Sequence, residues 1–254
     1  MDGQTVCYSA GNCGTLLLRK YIPAGVKVVT GELQGNIYPC RLVGKALVTS
    51  AFPYMTKKAA AYPARDTQAL IAAMEEVYPC APAKNVLEAA FNSPNISIHL
   101  AGSLLNTCAI EKNPDFRMYQ EGISPAVLTC IEQVEREKQL VMEAMGYEHV
   151  SHLGMMKNLI QYGQHEELDA FRQVAGPSSM KHRYIEEDAS TGQALMISLA
   201  HNLGLKLPCM EALVCLAGVI NRTDYLAQGR TTGFLGWDGL DAEAVNTLLL
   251  EGEN

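Results

Sequence analysis

Hydrophobic and polar positions follow short, strand-like runs over about the first 80 residues, then settle into helical spacing. The run at residues 6–10 predicts a strand that stops at Gly11-Asn12-Cys13-Gly14, and a helical pattern follows over residues 15–21. Strand, glycine turn and helix in that order fit a parallel-sheet unit. Residues 26–30 predict a second strand. Residues 38–42 and 45–50 predict a hairpin around Val43-Gly44. Residues 57–62 predict another strand, and residues 67–77 an amphipathic helix.

From residue 82 the strand signal gives way to helices over 82–91, 96–108, 125–145, 191–202, 208–220 and 241–250. One or two shorter helices fall within 152–176, and residues 234–237 read as an apolar loop. Ser124 is a candidate N-cap with Pro125 at the first helical position, and Gly146 a candidate C-cap. Between them Val127, Ile131, Val134, Leu140, Val141 and Met145 form an apolar stripe. Glu132, Glu135, Arg136, Glu137 and Lys138 read as a solvated face. The expected fold is α/β followed by all-α. Residues 1–80 form a partial Rossmann-like sheet segment, and residues 81–254 a helical domain.

Composition narrows the function. The chain is 48% hydrophobic and 19% charged, which suits a protein with a sizeable core. A net charge of -7 argues against nucleic acid or anionic membrane as partner, so an anionic substrate requires a local arginine or lysine. No apolar run is long enough to span a membrane, and Met1-Asp2-Gly3-Gln4 does not open a signal peptide. The eight cysteines show no Cys-x-x-Cys pair and no zinc spacing. They read mostly as buried thiols in a reducing cytoplasm, with no metal site.

Four places carry candidate chemistry. His99 follows Pro94 and Asn95 in an apolar stretch, and two readings stand: a satisfied core histidine, or a general acid/base near neutral pH. In the charged segment at residues 181–188, Arg183 is a candidate anion clamp. Asp188 is either a helix N-cap, a role open to Ser190 as well, or the carboxylate that orients a histidine. Arg230, after the turn at Gly229, is a second candidate anion contact, or part of a surface loop. Gly11-x-x-Gly14 is short of the dinucleotide fingerprint G-x-G-x-x-G, and Glu32 is a weak match for its acidic partner; the stretch reads as a turn.

Taken in order, these residues resemble one family. The pattern runs through Glu32…Tyr38-x-x-Arg41, Asn85-Val86-Leu87-Glu88, Asn92-x-x-Asn95-x-x-x-His99, Asn106 and Tyr119-x-Glu121-Gly122. It continues through Arg183-Tyr184-x-x-Glu187-Asp188, Gly204 with Pro208, and Asp224-Tyr225…Gly229-Arg230-Thr231. It resembles the octopine/nopaline (opine) dehydrogenases, with departures at Leu33, Ile37 and Leu100. The resemblance implies a Rossmann-type domain followed by a helical domain like the C-terminal part of 6-phosphogluconate dehydrogenase. It also implies the reductive condensation of an amino acid with a 2-oxo acid using NAD or NADP. It makes His99 and Asp188 the catalytic pair, with Arg183, Asn95 and Arg230 on the substrates. Any cofactor contact in this chain falls to Gly11, Gly14 and Glu32. The family's glycine-rich unit is expected to be absent from the chain. That predicts a separate nucleotide-binding subunit, and a homo- or hetero-oligomer that covers the open sheet edge. The alternative is a non-catalytic binding or assembly module derived from the same family.

Overall fold

The computed structural model describes residues 3–9, 12–35, 40–50, 56–77 and 79–252. Strand β1 (Gln4–Ser9) is followed by α1 (Gly14–Lys20), and β2 (Val28–Leu33) runs parallel to β1. The hairpin of β3 (Cys40–Gly44) and β4 (Leu47–Ser50) stands apart as its own two-stranded sheet. Strand β5 (Lys57–Tyr62) then pairs antiparallel with β2, and α2 (Thr67–Glu75) crosses to β6 (Cys80–Pro82), parallel to β5. The main sheet has the order β1-β2-β5-β6 and is mixed. The hydrophobic pattern gives no sign of β6. Its three residues follow Pro79 and end on Pro82, too short a run to carry alternation, and Pro82 is tolerated because β6 is an edge strand.

Alternation along β5 divides the core. Ala60 and Tyr62 face the large helical core, while Ala59 and Ala61 meet Leu70, Ile71 and Met74 of α2. The close seat of α2 depends on Gly31. A Cβ there would lie 2.4 Å from a Leu70 methyl and 2.7 Å from the Ala60 carbonyl.

Beyond the sheet come α3 (Val86–Phe91), α4 (Asn95–Leu104), α5 (Thr107–Lys112) and α6 (Pro125–Ala144). They are followed by α7 (Leu153–Leu159), α8 (Asp169–Arg172), α9 (Arg183–Glu187) and α10 (Ala194–Asn202). The last four are α11 (Pro208–Asn221), α12 (Tyr225–Gln228), α13 (Thr232–Leu235) and α14 (Ala242–Glu251). The helix expected over 82–91 starts four residues late, because the Asn85 side chain accepts from the Leu87 and Glu88 amides and fixes the cap there. The helix expected over 96–108 is two helices. Asn106 donates its amide to the carbonyls of Gly102 and Gly122, at 2.8 and 2.9 Å, and breaks the run. The stretch expected as an apolar loop over 234–237 begins inside α13 and ends on buried Trp237. No helix of the described residues is long and apolar enough to cross a membrane.

Helix α6 overturns one expectation. Ser124 caps it and Pro125 starts it, but Glu135, Glu137 and Lys138 are buried rather than solvated. Both carboxylate oxygens of Glu137 accept from the start of α11, at the Cys209 and Met210 amides, each at 2.9 Å. There the negative charge meets the free N–H groups of a helix N-terminus. Glu135 sits at the centre of a second cluster. Its oxygens lie 2.9 Å from Lys138 Nζ and 2.9 Å from His149 Nε2, and it accepts the Ser97 hydroxyl. Burial pushes the Glu135 carboxyl up, but the His149 bond, the Lys138 charge and the Ser97 bond outweigh it and hold the group down at about 2.

The same cluster makes stability depend on pH. Burial, and then the charge of Lys138, press neighbouring His152 down to about 4, so it is neutral in the fold. Between its ordinary 6.5 and about 4 the unfolded chain binds the extra proton, and stability falls as pH falls through that window. Glu135 extends the loss, since its contribution is present above 4.5 and disappears toward about 2. Urea midpoints measured from pH 8 to 4 are therefore expected to start falling near pH 6.5, above the carboxylate range. In His152→Gln the fall is expected to start near pH 4.5 instead.

The cysteines are less buried than expected. Among the described residues Cys13 and Cys80 are buried, Cys7, Cys130 and Cys209 half-buried, and Cys108 and Cys215 exposed, all as free thiols.

Candidate active site

Helix α4 runs through the middle of the helical core, with every residue from Ile96 to Leu104 buried. A helix apolar on all sides belongs there, and it carries His99 inward at 3% exposure. The partner comes from the helix that begins at Arg183. It does not start at Asp188 or Ser190, as capping would require. His182 is its N-cap, accepting from the Tyr184 amide, and α9 runs on into a π-helical segment, Asp188–Gln193, and then α10. Asp188 therefore lies inside a continuous helix. The wider π turn sets it one turn after Tyr184 on the side that packs against α4.

This brings Asp188 Oδ2 to 2.9 Å from His99 Nδ1. On the other side of the ring, His99 Nε2 is 3.0 Å from the Tyr119 hydroxyl. The Tyr184 ring stacks on the imidazole at 3.6 Å and 12°. A carboxylate accepts only, so in the neutral ring Nδ1 carries the proton and Nε2 receives the Tyr119 hydroxyl hydrogen. Tyr119 stands in a π turn, Met118–Gly122, and its ring leans on Phe171 with centroids 4.2 Å apart. Burial first, then Tyr184 and the negative charge of Asp188, raise the Tyr119 phenol well above its ordinary range, against the opposing charge of Arg183.

The other expected substrate residues spread around this centre. Arg183 is exposed, its guanidinium 5.0 Å from the Tyr184 ring centre. Asn95 is half-buried on the first turn of α4, four residues before His99 and so on the same helix face. Arg230 has a tethering role rather than an open one. Its amide donates to the Ser190 carbonyl at 2.6 Å and its guanidinium to the Asn12 carbonyl. Gly229 permits that approach, since a Cβ would meet the carbonyls of Tyr225 and Ser190 at 2.3 and 2.4 Å. Half-buried Glu187 is raised by burial and by Asp188, with Arg183, His99 and Arg230 opposing.

Gly14 and Glu32 are not arranged as a pyrophosphate site, and Gly11 lies outside the described residues. Glu32 is fully buried, and its two carboxylate oxygens accept from the Cys13 and Thr15 amides at 3.2 Å each. The free N–H groups at the start of α1 are thus already met by an anion of the chain itself. Gly14 serves packing: a Cβ would lie 2.6 Å from the Tyr8 ring.

Sequence reasoning left Tyr119 and Tyr184 without roles. The available signal for Tyr184 was its spacing of four from Asp188, which puts both on one helix face. Tyr119 had no local signal, because its contact with His99 exists only after the chain folds.

The structure thus combines a mixed four-stranded sheet, a helical core and a buried histidine–aspartate pair. A model of the family "NAD/NADP octopine/nopaline dehydrogenase, alpha-helical domain" matches residues 82–221, more than half of the chain. The chain belongs to the octopine/nopaline dehydrogenase family. It is 28% identical over 258 residues to an opine dehydrogenase of Arthrobacter sp. (strain 1C), covering 97% of this chain and 71% of that protein. It is 26% identical to a vitopine synthase of Allorhizobium ampelinum, covering 59% of this chain and 43% of that one. Among solved structures, an octopine dehydrogenase described with NADH and pyruvate shares the fold, with a TM-score of 0.64, 17% identity, and cover of 98% of this chain and 71% of that one. A yersinopine dehydrogenase with NADP+ bound fits at a TM-score of 0.54 with 13% identity, covering 98% of this chain and 72% of that one.

Proposed function

We propose that the protein catalyses the opine dehydrogenase reaction, joining the amine of an amino acid to the carbonyl carbon of a 2-oxo acid and reducing the imine. The observation that carries this reading is the buried Asp188–His99 pair at 2.9 Å, in a chain of this family. The amine must lose a proton before it attacks, and the carbinolamine must gain one before it expels water. A histidine backed by a carboxylate can do both. Asp188 holds the ring orientation and stabilises the imidazolium that forms when Nε2 takes a proton. Both substrates carry carboxylates, and Arg183, exposed beside Tyr184, is the side chain on offer to receive one. Asn95, on the His99 face of α4, is the companion polar contact. Arg230 contributes indirectly, by fastening the loop after α12 to the turn before α1.

In this reading residues 1–80 form the sheet portion and residues 81–254 the helical substrate portion, of the 6-phosphogluconate dehydrogenase C-terminal kind. The NAD(P)H of this family would supply the hydride that reduces the imine. The α1 N-terminus does not fit its pyrophosphate, because Glu32 fills that position. No finding supports an absent glycine-rich half or a separate nucleotide-binding subunit, and the proposal includes neither. The free thiols favour a reducing, cytoplasmic setting, and the open outer edge of β1 favours association with a second chain. The test is oxidation of NADH and NADPH with 2-oxo acids and a panel of amino acids. Oxidation that requires both substrates supports the reading, and none with any pair overturns it.

A further inference from the structure

Neither nitrogen of His99 is free. Nδ1 faces Asp188 at 2.9 Å and Nε2 faces the Tyr119 hydroxyl at 3.0 Å, with the ring stacked against Tyr184. A base that collects protons from a substrate needs an outlet, and among the described residues the hydrogen-bond partner of Nε2 is the Tyr119 hydroxyl, itself in contact with the Tyr184 side chain. We propose that Tyr119 is a catalytic proton relay: the substrate exchanges its proton with the Tyr119 oxygen, which passes its own to His99 Nε2.

The surroundings of Tyr119 fit a fixed relay better than a side chain that swings aside. Its ring packs on Phe171, and its π turn is held at Gly122 by the Asn106 amide bond of 2.9 Å. A Cβ at Gly122 would stand 2.8 Å from the Phe116 ring, so the turn closes tightly there. A Cβ at Gly176 would stand 3.0 Å from both the Met118 amide nitrogen and the Phe116 carbonyl, so another strand of chain presses on the same turn. Asn106 and Gly122 are thus explained as parts that aim Tyr119. The charge of Arg183, whose guanidinium lies 5.0 Å from the Tyr184 ring centre, acts on the Tyr119 hydroxyl as well.

The proton balance is complete. As the amine gives its proton to the Tyr119 oxygen, the phenolic proton moves to Nε2, forming imidazolium opposite Asp188 and leaving tyrosine neutral. The free amine then attacks the carbonyl carbon and passes a second proton to the alkoxide oxygen, giving the neutral carbinolamine. Return of the relay proton from Nε2 through Tyr119 to that hydroxyl lets it leave as water, and the nitrogen lone pair forms the iminium. Burial, Tyr184 and the charge of Asp188 raise the phenol well above its ordinary range, which disfavours a phenolate and suits an oxygen that gains one proton as it gives up another.

The inference rests on the proposed dehydrogenase activity, and its test separates the two. Tyr119→Phe removes only the hydroxyl and keeps the ring on Phe171. It is expected to lower kcat by about 100-fold with oxo-acid KM changed less than about threefold, and His99→Ala/Tyr119→Phe is expected to be no slower than His99→Ala alone. In the same variant the 15N resonance of His99 Nε2 is expected to move, reporting loss of the bond. Wild-type kcat in Tyr119→Phe, a gain in rate, or additive loss in the double variant overturns the relay. If the wild type turns over no substrate pair, the dehydrogenase reading fails. The relay falls with it, whereas an Nε2 signal unchanged by Tyr119→Phe in an active enzyme overturns the relay alone.

Discussion

His99→Ala is expected to lower kcat/KM by about 10²–10⁴-fold, the range for loss of a positioned general acid/base. The size follows from the geometry. His99 is the one imidazole that Asp188 orients, and its loss removes the acceptor for the amine proton and the donor for the departing water together. Alanine also strands the buried Asp188 carboxylate without its imidazole partner, so the variant is expected to lose stability as well. His99→Asn separates the two effects, because its amide can donate to Asp188 while offering no base. Stability recovered without activity marks His99 as catalytic. Activity retained in either variant marks it as core packing.

The largest loss of stability is expected at Glu135→Ala. Lys138 has no exposed surface, and Glu135 is its ionic partner at 2.9 Å as well as the acceptor for His149 and Ser97. Removing one member of a buried ion pair costs about 3–5 kcal/mol, because the remaining charge is left without compensation. For a chain of this size that lowers the melting temperature by roughly 10 °C. Replacing the pair together, as Glu135→Leu/Lys138→Met, is expected to recover much of the loss, since no charge then remains buried. Thermal melts of the three proteins check this. A fall of under about 1 kcal/mol in Glu135→Ala would show that Lys138 is neutral in the fold, or solvated.

How far the sequence was legible varied from element to element. Strand β5 and the parallel β1–β2 pair were readable because a short apolar run and the order strand, glycine turn, helix are local signals. Strand β6 was not, because three residues that follow one proline and end on another carry no period. The Glu135–Lys138 spacing reads identically on a solvated face and in a buried cluster, and only packing against α4 and His149 decides between them. At the site, His99, Asp188 and Arg183 were named by pattern, yet Asp188 looked equally like a cap. The structure resolves this through a π turn that the sequence does not announce. Glu32 was named for a cofactor and instead caps α1, a contact set by register between β2 and the glycine turn. Tyr119 was present in the motif without a role, since its partner lies twenty residues away.

The most direct measurement of the central claim is mass analysis of the product formed from an amino acid, a 2-oxo acid and NAD(P)H. It is made with wild-type protein and with Asp188→Asn. The account predicts a secondary amine joining the two substrates from the wild type, and about 10²–10⁴-fold less of it per unit time from Asp188→Asn. Reduction of the oxo acid to a hydroxy acid, or equal yields of the secondary amine from both proteins, would contradict it.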